Sequence, residues 1–218
     1  MQSVPLPNGA KLALATTYGS PVTVSAVTNA NPAVATATAH GLTDADIVLA
    51  SAPGWAQLEN SVRRVDAPVA NTFNFEGLDS TNTTQFPAGG GVGTVKEVTA
   101  WTQIPKVPSF ETTGGEPKAQ TTSYVDYPED FEFFTGTTPV RVNFTVSYAP
   151  DSTHHAALLA ASRSGTLQVL RLVLEDGSTL YYPGRLFFNP RPTTTKDNEM
   201  VCNAAFALQG EFTRYAAA

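Results

Sequence analysis

Two adjacent histidines, His154 and His155, carry the side chains in this sequence that most readily bind metals or move protons. Neighbouring residues on a helix point about 100° apart, so this pair cannot hold one ion as residues four apart would. The third histidine, His40, falls in a separate turn. The histidines therefore predict no metal site, and we interpret the pair as the polar first turn of a helix.

Three neighbouring carboxylates, Glu129, Asp130 and Glu132, suggest the acid pair of a glycosidase. A local density of acids sets neither the separation nor the raised pKa that such chemistry needs. No G-x-S-x-G nucleophile motif accompanies them. A solvated acidic surface is therefore the favoured interpretation, and a hydrolase is the weaker alternative.

Two other features are more typical of structure than of catalysis. The glycine run from Gly89 to Gly93 resembles a phosphate-binding loop, but no Lys-Ser/Thr follows it and it opens a strand, so it predicts a turn. The single cysteine, Cys202, excludes an internal disulfide and is typical of a small core residue. The sequence predicts no enzyme and no cofactor.

The composition indicates a β-rich protein that does not bind nucleic acid. Of the 218 residues, 42% are hydrophobic and only 15% are charged, and the formal net charge is −6. An acidic chain lacks the electrostatic attraction that drives nonspecific DNA binding. The N-terminus lacks the pattern of a secretory leader, and no stretch is apolar enough to span a membrane. We expect a protein of a reducing cytoplasm that does not associate with membranes.

Hydrophobic patterning predicts two parts. A short strand at Lys11–Thr17 ends at a turn, and residues 21–98 then contain six short β-prone runs separated by turn signals. We interpret 21–98 as an inserted small all-β module, and residues 1–20 together with 99–218 as a discontinuous second domain.

The second domain shows its elements clearly. Residues 140–148 alternate strictly between apolar and polar, which predicts a strand. A capping Asp151 or Ser152 and a stop at Gly165 delimit one helix. Apolar runs on either side of Asp176-Gly177 predict a hairpin, and a last strand spans 200–208. The predicted fold is mainly β: an antiparallel β-sandwich or barrel-like domain with one packed helix, one long loop and the inserted module.

The long loop, between Ile104 and Gly136, is too irregular for a helix and too aromatic for a linker. Aromatic side chains are enriched in interface cores, so we expect its rings to contact neighbouring subunits; the alternative is that they cap the loop's own sandwich. The candidate contact residues are Phe110, Tyr124, Tyr127, Phe131, Phe133 and Phe134. The same segment carries the acids Asp126, Glu129, Asp130 and Glu132.

The segment WTQIPKVPSFETTGGEPKAQTTSYVDYPEDFEFFTG, followed by the strand VRVNFTVSY, the helix STHHAALLAASRSG, the hairpin and the closing strand, resembles the major tail tube protein of long-tailed, lambda-like bacteriophages. The resemblance lies in the order of elements over residues 1–20 and about 99–218. It implies a non-catalytic virion protein that assembles in the host cytoplasm. Hexameric rings would stack into a tail tube through which double-stranded DNA passes without specific binding.

The resemblance also implies partners and contacts. The subunit would contact copies of itself, the tape-measure protein and the tail tip and terminator proteins. The long loop would reach neighbouring subunits, and Arg141, Arg171 and Arg185 are candidate bases for its acids. The resemblance implies an anionic lumen, which suits the charge because ionised carboxylates repel a passing polyanion. The candidate lumen or salt-bridge acids are Asp126, Glu129, Asp130 and Glu132.

A second hypothesis is a β-sandwich binding module that recognises a carbohydrate or a host-surface protein. The ligand-binding surface would lie in residues 21–98, where the aromatic rings of Trp55 and Phe73 would contact the ligand.

Overall fold

The computed structural model describes residues 9–52, 54–194 and 196–217. The strands are β1 (Lys11–Tyr18), β2 (Val22–Val24), β3 (Ala26–Val27), β4 (Ala33–Thr36), β5 (Ile47–Ser51), β6 (Val62–Val69), β7 (Thr72–Phe75), β8 (Gly93–Ile104), β9 (Phe110–Thr113), β10 (Pro117–Thr122), β11 (Phe131–Thr137), β12 (Arg141–Ser147), β13 (Gln168–Val173), β14 (Thr179–Phe188), β15 (Val201–Leu208) and β16 (Thr213–Tyr215). One helix, α1 (Thr153–Ser164), lies between β12 and β13. The mainly β fold with one helix is confirmed.

Every strand pair is antiparallel. Fourteen strands join in the order β3-β4-β7-β6-β5-β8-β1-β13-β14-β15-β12-β9, with β2 added to β8 and β16 added to β14. Strands β10 and β11 form a separate two-stranded sheet.

The core beneath α1 follows the predicted alternation. Val142, Phe144 and Val146 on β12 are buried and pack with Phe206 of β15 and Leu158 of α1. The helix termini are also as predicted. The Ser152 hydroxyl accepts a hydrogen bond from the amide of His155, and Gly165 ends the helix in the left-handed conformation. The hairpin of β13 and β14 turns at Asp176-Gly177, where the Asp176 carboxylate accepts the Ser178 amide.

Residues 21–98 enclose a second core, which is centred on aromatic rings. Trp55 is 0% exposed, and Phe73 and Phe75 pack edge to face at 5.2 Å between ring centroids. The glycine run forms a turn as predicted, and it also packs on this core. A Cβ at Gly91 would lie 2.7 Å from Val27 and 3.1 Å from Trp55, so a larger residue cannot fit there.

Strand β8 belongs to both predicted parts. Its first residues pair with β2 and β5, whereas residues from Val98 to Ile104 pair with β1. The predicted boundary at residue 98 therefore falls inside a continuous strand. The division into two domains stays a prediction, and its residues 1–8, Pro53, Thr195 and Ala218 lie outside the described residues.

A third hydrophobic cluster fills the junction between the two parts. Ile47, Leu49 and Val62 come from the predicted module, and Val169 and Tyr215 come from the other side. Tyr215 lies on β16, a short strand that the sequence did not predict. The Thr213 hydroxyl donates a hydrogen bond to the Val62 carbonyl across this junction, at 2.8 Å.

The predicted long loop contains regular structure, which corrects that part of the prediction. Strand β9 pairs with β12, and β10 and β11 form a hairpin. Within the described residues, no helix combines the length and the apolar character that crossing a bilayer would need.

Candidate assembly surface

The hairpin of β10 and β11 stands apart from the rest of the molecule. Among the described residues, its two strands pair only with each other, from Pro117 opposite Thr137 to Thr122 opposite Phe131. The strands are closed at their base by the Thr138 amide, which donates to the Glu116 carbonyl at 2.8 Å. We call residues 117–137 the assembly hairpin.

Gly114 fixes the direction in which the assembly hairpin leaves the sheet. It has a φ of +89°, and a Cβ there would lie 2.1 Å from the Pro139 carbonyl oxygen. A side chain would both strain the backbone and clash. Gly115, beside it, donates its amide to the Thr138 carbonyl.

Five rings of the assembly hairpin are exposed: Tyr124, Tyr127, Phe131, Phe133 and Phe134. Phe134 is 73% exposed and Phe133 is 50% exposed, which is unusual for large apolar side chains. The two tyrosines pack edge to face on Phe131, with ring centroids 6.1 and 5.5 Å away. An isolated two-stranded hairpin is marginally stable in water. Its exposed rings therefore make a surface suited to burial against another chain.

Phe110 is not part of the exposed surface of the assembly hairpin. It lies on β9, and its ring is half-buried against Phe144 and Tyr182 of the same chain, with centroids 6.4 and 6.3 Å away. The alternative interpretation, in which a ring of this segment caps its own sandwich, applies to Phe110 alone.

The predicted acids lie together on the assembly hairpin. Asp126, Glu129 and Asp130 surround its tip, and Glu132 lies on β11. All four are exposed. Over the described residues, the salt bridges are Arg64–Glu76 and Arg214–Asp176, so none of these four acids is paired within the chain. Their charge is available to a partner or to solvent.

The structure brings two of the three predicted bases together. Arg141 on β12 and Arg185 on β14 both lie opposite Ala207 of β15, so they flank it on one exposed face. Arg171 differs from them, because its guanidinium lies over the Trp101 ring of the same chain at 4.3 Å. That cation–π contact already occupies one face of the group.

Phe187 is an exposed residue on this face that the sequence interpretation missed. It is 61% exposed and lies two residues after Arg185. The signal was present in the sequence: Leu186 and Phe188 alternate with it and face the core, so period-two alternation places Phe187 beside Arg185.

The side chains considered for catalysis or ligand binding have structural roles. His154 and His155 are buried at the start of α1, and burial together with the neighbouring His155 lowers the pKa of His154. Cys202 is buried, and this burial raises the pKa of its thiol. Across residues 9–52, 54–194 and 196–217, no three His, Cys, Asp or Glu side chains lie together as metal ligands would.

The proposed contact for a carbohydrate or a host protein is corrected. Trp55 and Phe73 are both 0% exposed, and the Trp55 indole donates a hydrogen bond to the Pro87 carbonyl at 2.8 Å. These rings form the module core and cannot stack on a sugar. His40 is also structural, since its imidazole accepts the Leu42 amide and contacts the Val69 carbonyl at 2.6 Å.

Comparison with known proteins gives one family and several distant structures. The family model described as phage tail tube protein (TTP) matches residues 53–217. No curated protein matches the chain.

Three solved structures show distant similarity. A chain in the virion of a native gene transfer agent (GTA) particle matches with a TM-score of 0.39 and 9% identity, over 53% of this chain and 89% of that chain. A chain in the tail of an empty GTA particle matches with a TM-score of 0.39 and 9% identity, over 53% and 87%. A chain in the anti-feeding prophage (AFP) baseplate matches with a TM-score of 0.38 and 8% identity, over 55% and 86%.

The family match covers more than half of the chain and includes strands β6 to β16 and α1. The predicted order of strand, helix, hairpin and closing strand lies within it. The chain therefore belongs to the phage tail tube protein family and is a structural subunit of a phage tail tube.

Proposed function

We propose that this subunit forms hexameric rings that stack into a tube with a negatively charged lumen for the passage of double-stranded DNA. The observation that carries the proposal is the assembly hairpin, which exposes five rings and four acids, none of them in a salt bridge within the described residues. Burial of these rings against adjacent subunits would supply the apolar contact that drives association.

The acids divide between two roles in this proposal. Some pair with Arg141 and Arg185 of an adjacent copy, where both guanidinium groups lie on one exposed face. The rest face the lumen, where they repel the phosphate backbone and prevent the DNA from binding to the wall. Arg171 is a weaker candidate for such a pair because it stacks on Trp101.

The proposed partners are further copies of this chain, the tape-measure protein, and the tail tip and terminator proteins. Assembly takes place in the host cytoplasm, and the finished tube is part of the virion tail. No enzymatic step belongs to this function.

Removal of the assembly hairpin tests the proposal directly. Glu116 and Thr138 are hydrogen-bonded at its base, so an Asn-Gly turn can replace residues 117–137 without disturbing β9 or β12. We expect a folded monomer that forms no tubes under electron microscopy at any concentration. Tubes indistinguishable from wild type would refute the role of the hairpin.

A second variant tests whether assembly depends on the aromatic side chains of the hairpin or on its backbone. Phe131→Ser, Phe133→Ser and Phe134→Ser together keep the hairpin length but remove its apolar surface. The control is Val69→Ser, which removes an exposed apolar side chain of β6, outside the hairpin and the proposed contact faces. We expect the triple variant to lose assembly and the control to retain it.

A further inference from the structure

A groove beside the first strand is the surface that best matches the tip of the assembly hairpin. It lies between the start of β1, the end of β8 and the connection from β8 to β9, and it has a volume of about 480 Å³. Leu12 and Ile104 form its floor, and Val107 and Phe110 form one wall. We call it the β1 groove.

The β1 groove is an opening in the hydrophobic core. Val107, Phe110 and Leu172 pack against the core beneath α1 but are only half-buried, so their apolar surface faces solvent. Covering such a surface with an aromatic side chain is favourable. The walls of the β1 groove are therefore suited to packing against aromatic side chains of another chain.

The rim of the β1 groove is positively charged. Lys11 and Lys106 are both exposed and line it, and no acid among the described residues lines it. Lys106 has a φ of +52°, a conformation that costs free energy in a residue with a side chain. Its carbonyl accepts both the amide and the hydroxyl of Ser147, each at 3.2 Å, which holds this conformation in place.

The tip of the assembly hairpin has the opposite properties. Tyr124, Tyr127 and Phe131 form a compact aromatic cluster, and Asp126, Glu129 and Asp130 surround it. The six residues of β10 separate the base from the tip loop, so a strand rise of about 3.3 Å per residue places the start of the tip about 20 Å from the base. The tip can therefore reach well beyond its own subunit.

We infer that the β1 groove receives the hairpin tip of a second copy of this chain, with the aromatic cluster on its apolar walls and with Glu129 and Asp130 beside Lys11 and Lys106. The face that carries Arg141 and Arg185 offers charge and the exposed Phe187 ring, and it stays available to Asp126 and Glu132. This inference rests on the proposed role of the assembly hairpin and names its acceptor. The contact joins two different surfaces, so it can repeat around a ring.

Charge reversal with rescue tests the inference. In the first variant, Lys11→Glu and Lys106→Glu reverse the rim. In the second, Glu129→Lys and Asp130→Lys reverse the tip. We expect each variant to raise the protein concentration needed for tube formation by about tenfold, because two exposed ion pairs are replaced by two repulsive ones. Combining all four substitutions in one chain should restore assembly to within about threefold of wild type.

The matched control is Lys96→Glu with Lys196→Glu, which changes the net charge equally at exposed sites outside the groove. It should assemble as the wild type does. Circular dichroism of every variant verifies that the fold is retained.

The outcomes separate this inference from the proposed function. If removal of the assembly hairpin abolishes tubes but the rim variant assembles normally, the inference is wrong and the proposed function stands. If the rim variant fails and the four-fold variant does not recover, a different segment or protein occupies the groove, and the inference is again overturned. If removal of the hairpin leaves tubes intact, both fail.

Discussion

Replacing Tyr215 by phenylalanine removes one hydroxyl from the junction between the two parts of the sheet, and we expect it to destabilise the whole chain. The Tyr215 hydroxyl accepts a hydrogen bond from the Arg64 amide at 2.8 Å and donates to the Glu76 carbonyl at 3.4 Å. The ring is only 7% exposed. Phenylalanine would keep the ring but leave the Arg64 amide without its acceptor.

The size of the effect follows from these contacts. Leaving a largely buried donor unsatisfied costs about 1–3 kcal/mol, so we expect the free energy of unfolding to fall by about 1.5 kcal/mol. For a chain of this length, 1 kcal/mol corresponds to about 2–4 °C, so Tm should fall by about 3–6 °C. The Arg64 guanidinium lies over the ring at 4.5 Å, and phenylalanine preserves that contact.

Tyr215→Ala removes the ring as well. The ring packs edge to face on Tyr181 at 6.0 Å and belongs to the junction cluster. Loss of a buried aromatic side chain costs about 3–5 kcal/mol, so the alanine variant should lose at least twice as much stability as the phenylalanine variant.

Urea denaturation followed by circular dichroism measures both changes, and Tyr148→Phe is the control. Tyr148 is 37% exposed, so loss of its hydroxyl should change the free energy of unfolding by less than about 0.5 kcal/mol. Equal effects of Tyr215→Phe and Tyr148→Phe would refute the reasoning, because the hydroxyl at the junction would then contribute nothing.

Three further predictions concern stability. Ser152→Ala should cost about 1 kcal/mol in urea denaturation, because α1 loses the hydroxyl that caps its first turn, whereas Ser152→Asp should be nearly neutral. Phe206→Ala should cost about 3–5 kcal/mol, since this ring is 0% exposed in the core beneath α1; a loss below 1 kcal/mol would contradict that packing. Burial raises the pKa of Tyr18, Tyr181 and Tyr215 above the ordinary value of about 10, so the folded state favours the neutral phenols. Their contribution is complete below pH 10 and is lost as the pH rises through the raised values, so urea denaturation at increasing pH should show stability falling above about pH 10.

The elements that the sequence predicted best are those with a local signal. Strand β12 buries Val142, Phe144 and Val146, and its alternation is strict because one face meets the core. Helix α1 has a cap and a stop at its ends. Such signals depend on a few neighbouring residues, so they can be interpreted without knowledge of the fold.

The elements that escaped prediction depend on distant partners. Strands β10 and β11 expose both faces, so no alternation distinguishes them from a loop. Strand β16 has three residues and pairs with β14, more than thirty residues earlier in the sequence. The burial of Phe110 follows from the pairing of β9 with β12, and the burial of Trp55 follows from the closure of its own core.

The candidate assembly surface was predicted only in part, because some of its residues are close together in the sequence and others meet only in the folded chain. The sequence indicated an aromatic and acidic segment, because five of its rings and its acids are clustered along the chain. It did not indicate that Arg141 and Arg185 lie side by side, because their proximity is created by β15 between them. The lysines of the β1 groove are separated by more than ninety residues and meet only in the folded chain.

Electron microscopy of the purified protein at high concentration, with and without tail tip components to nucleate assembly, tests the central claim most directly. We predict sixfold rings, or tubes built from them, with an open central channel. Monomers that persist under every assembly condition would contradict the claim, and so would rings of another symmetry.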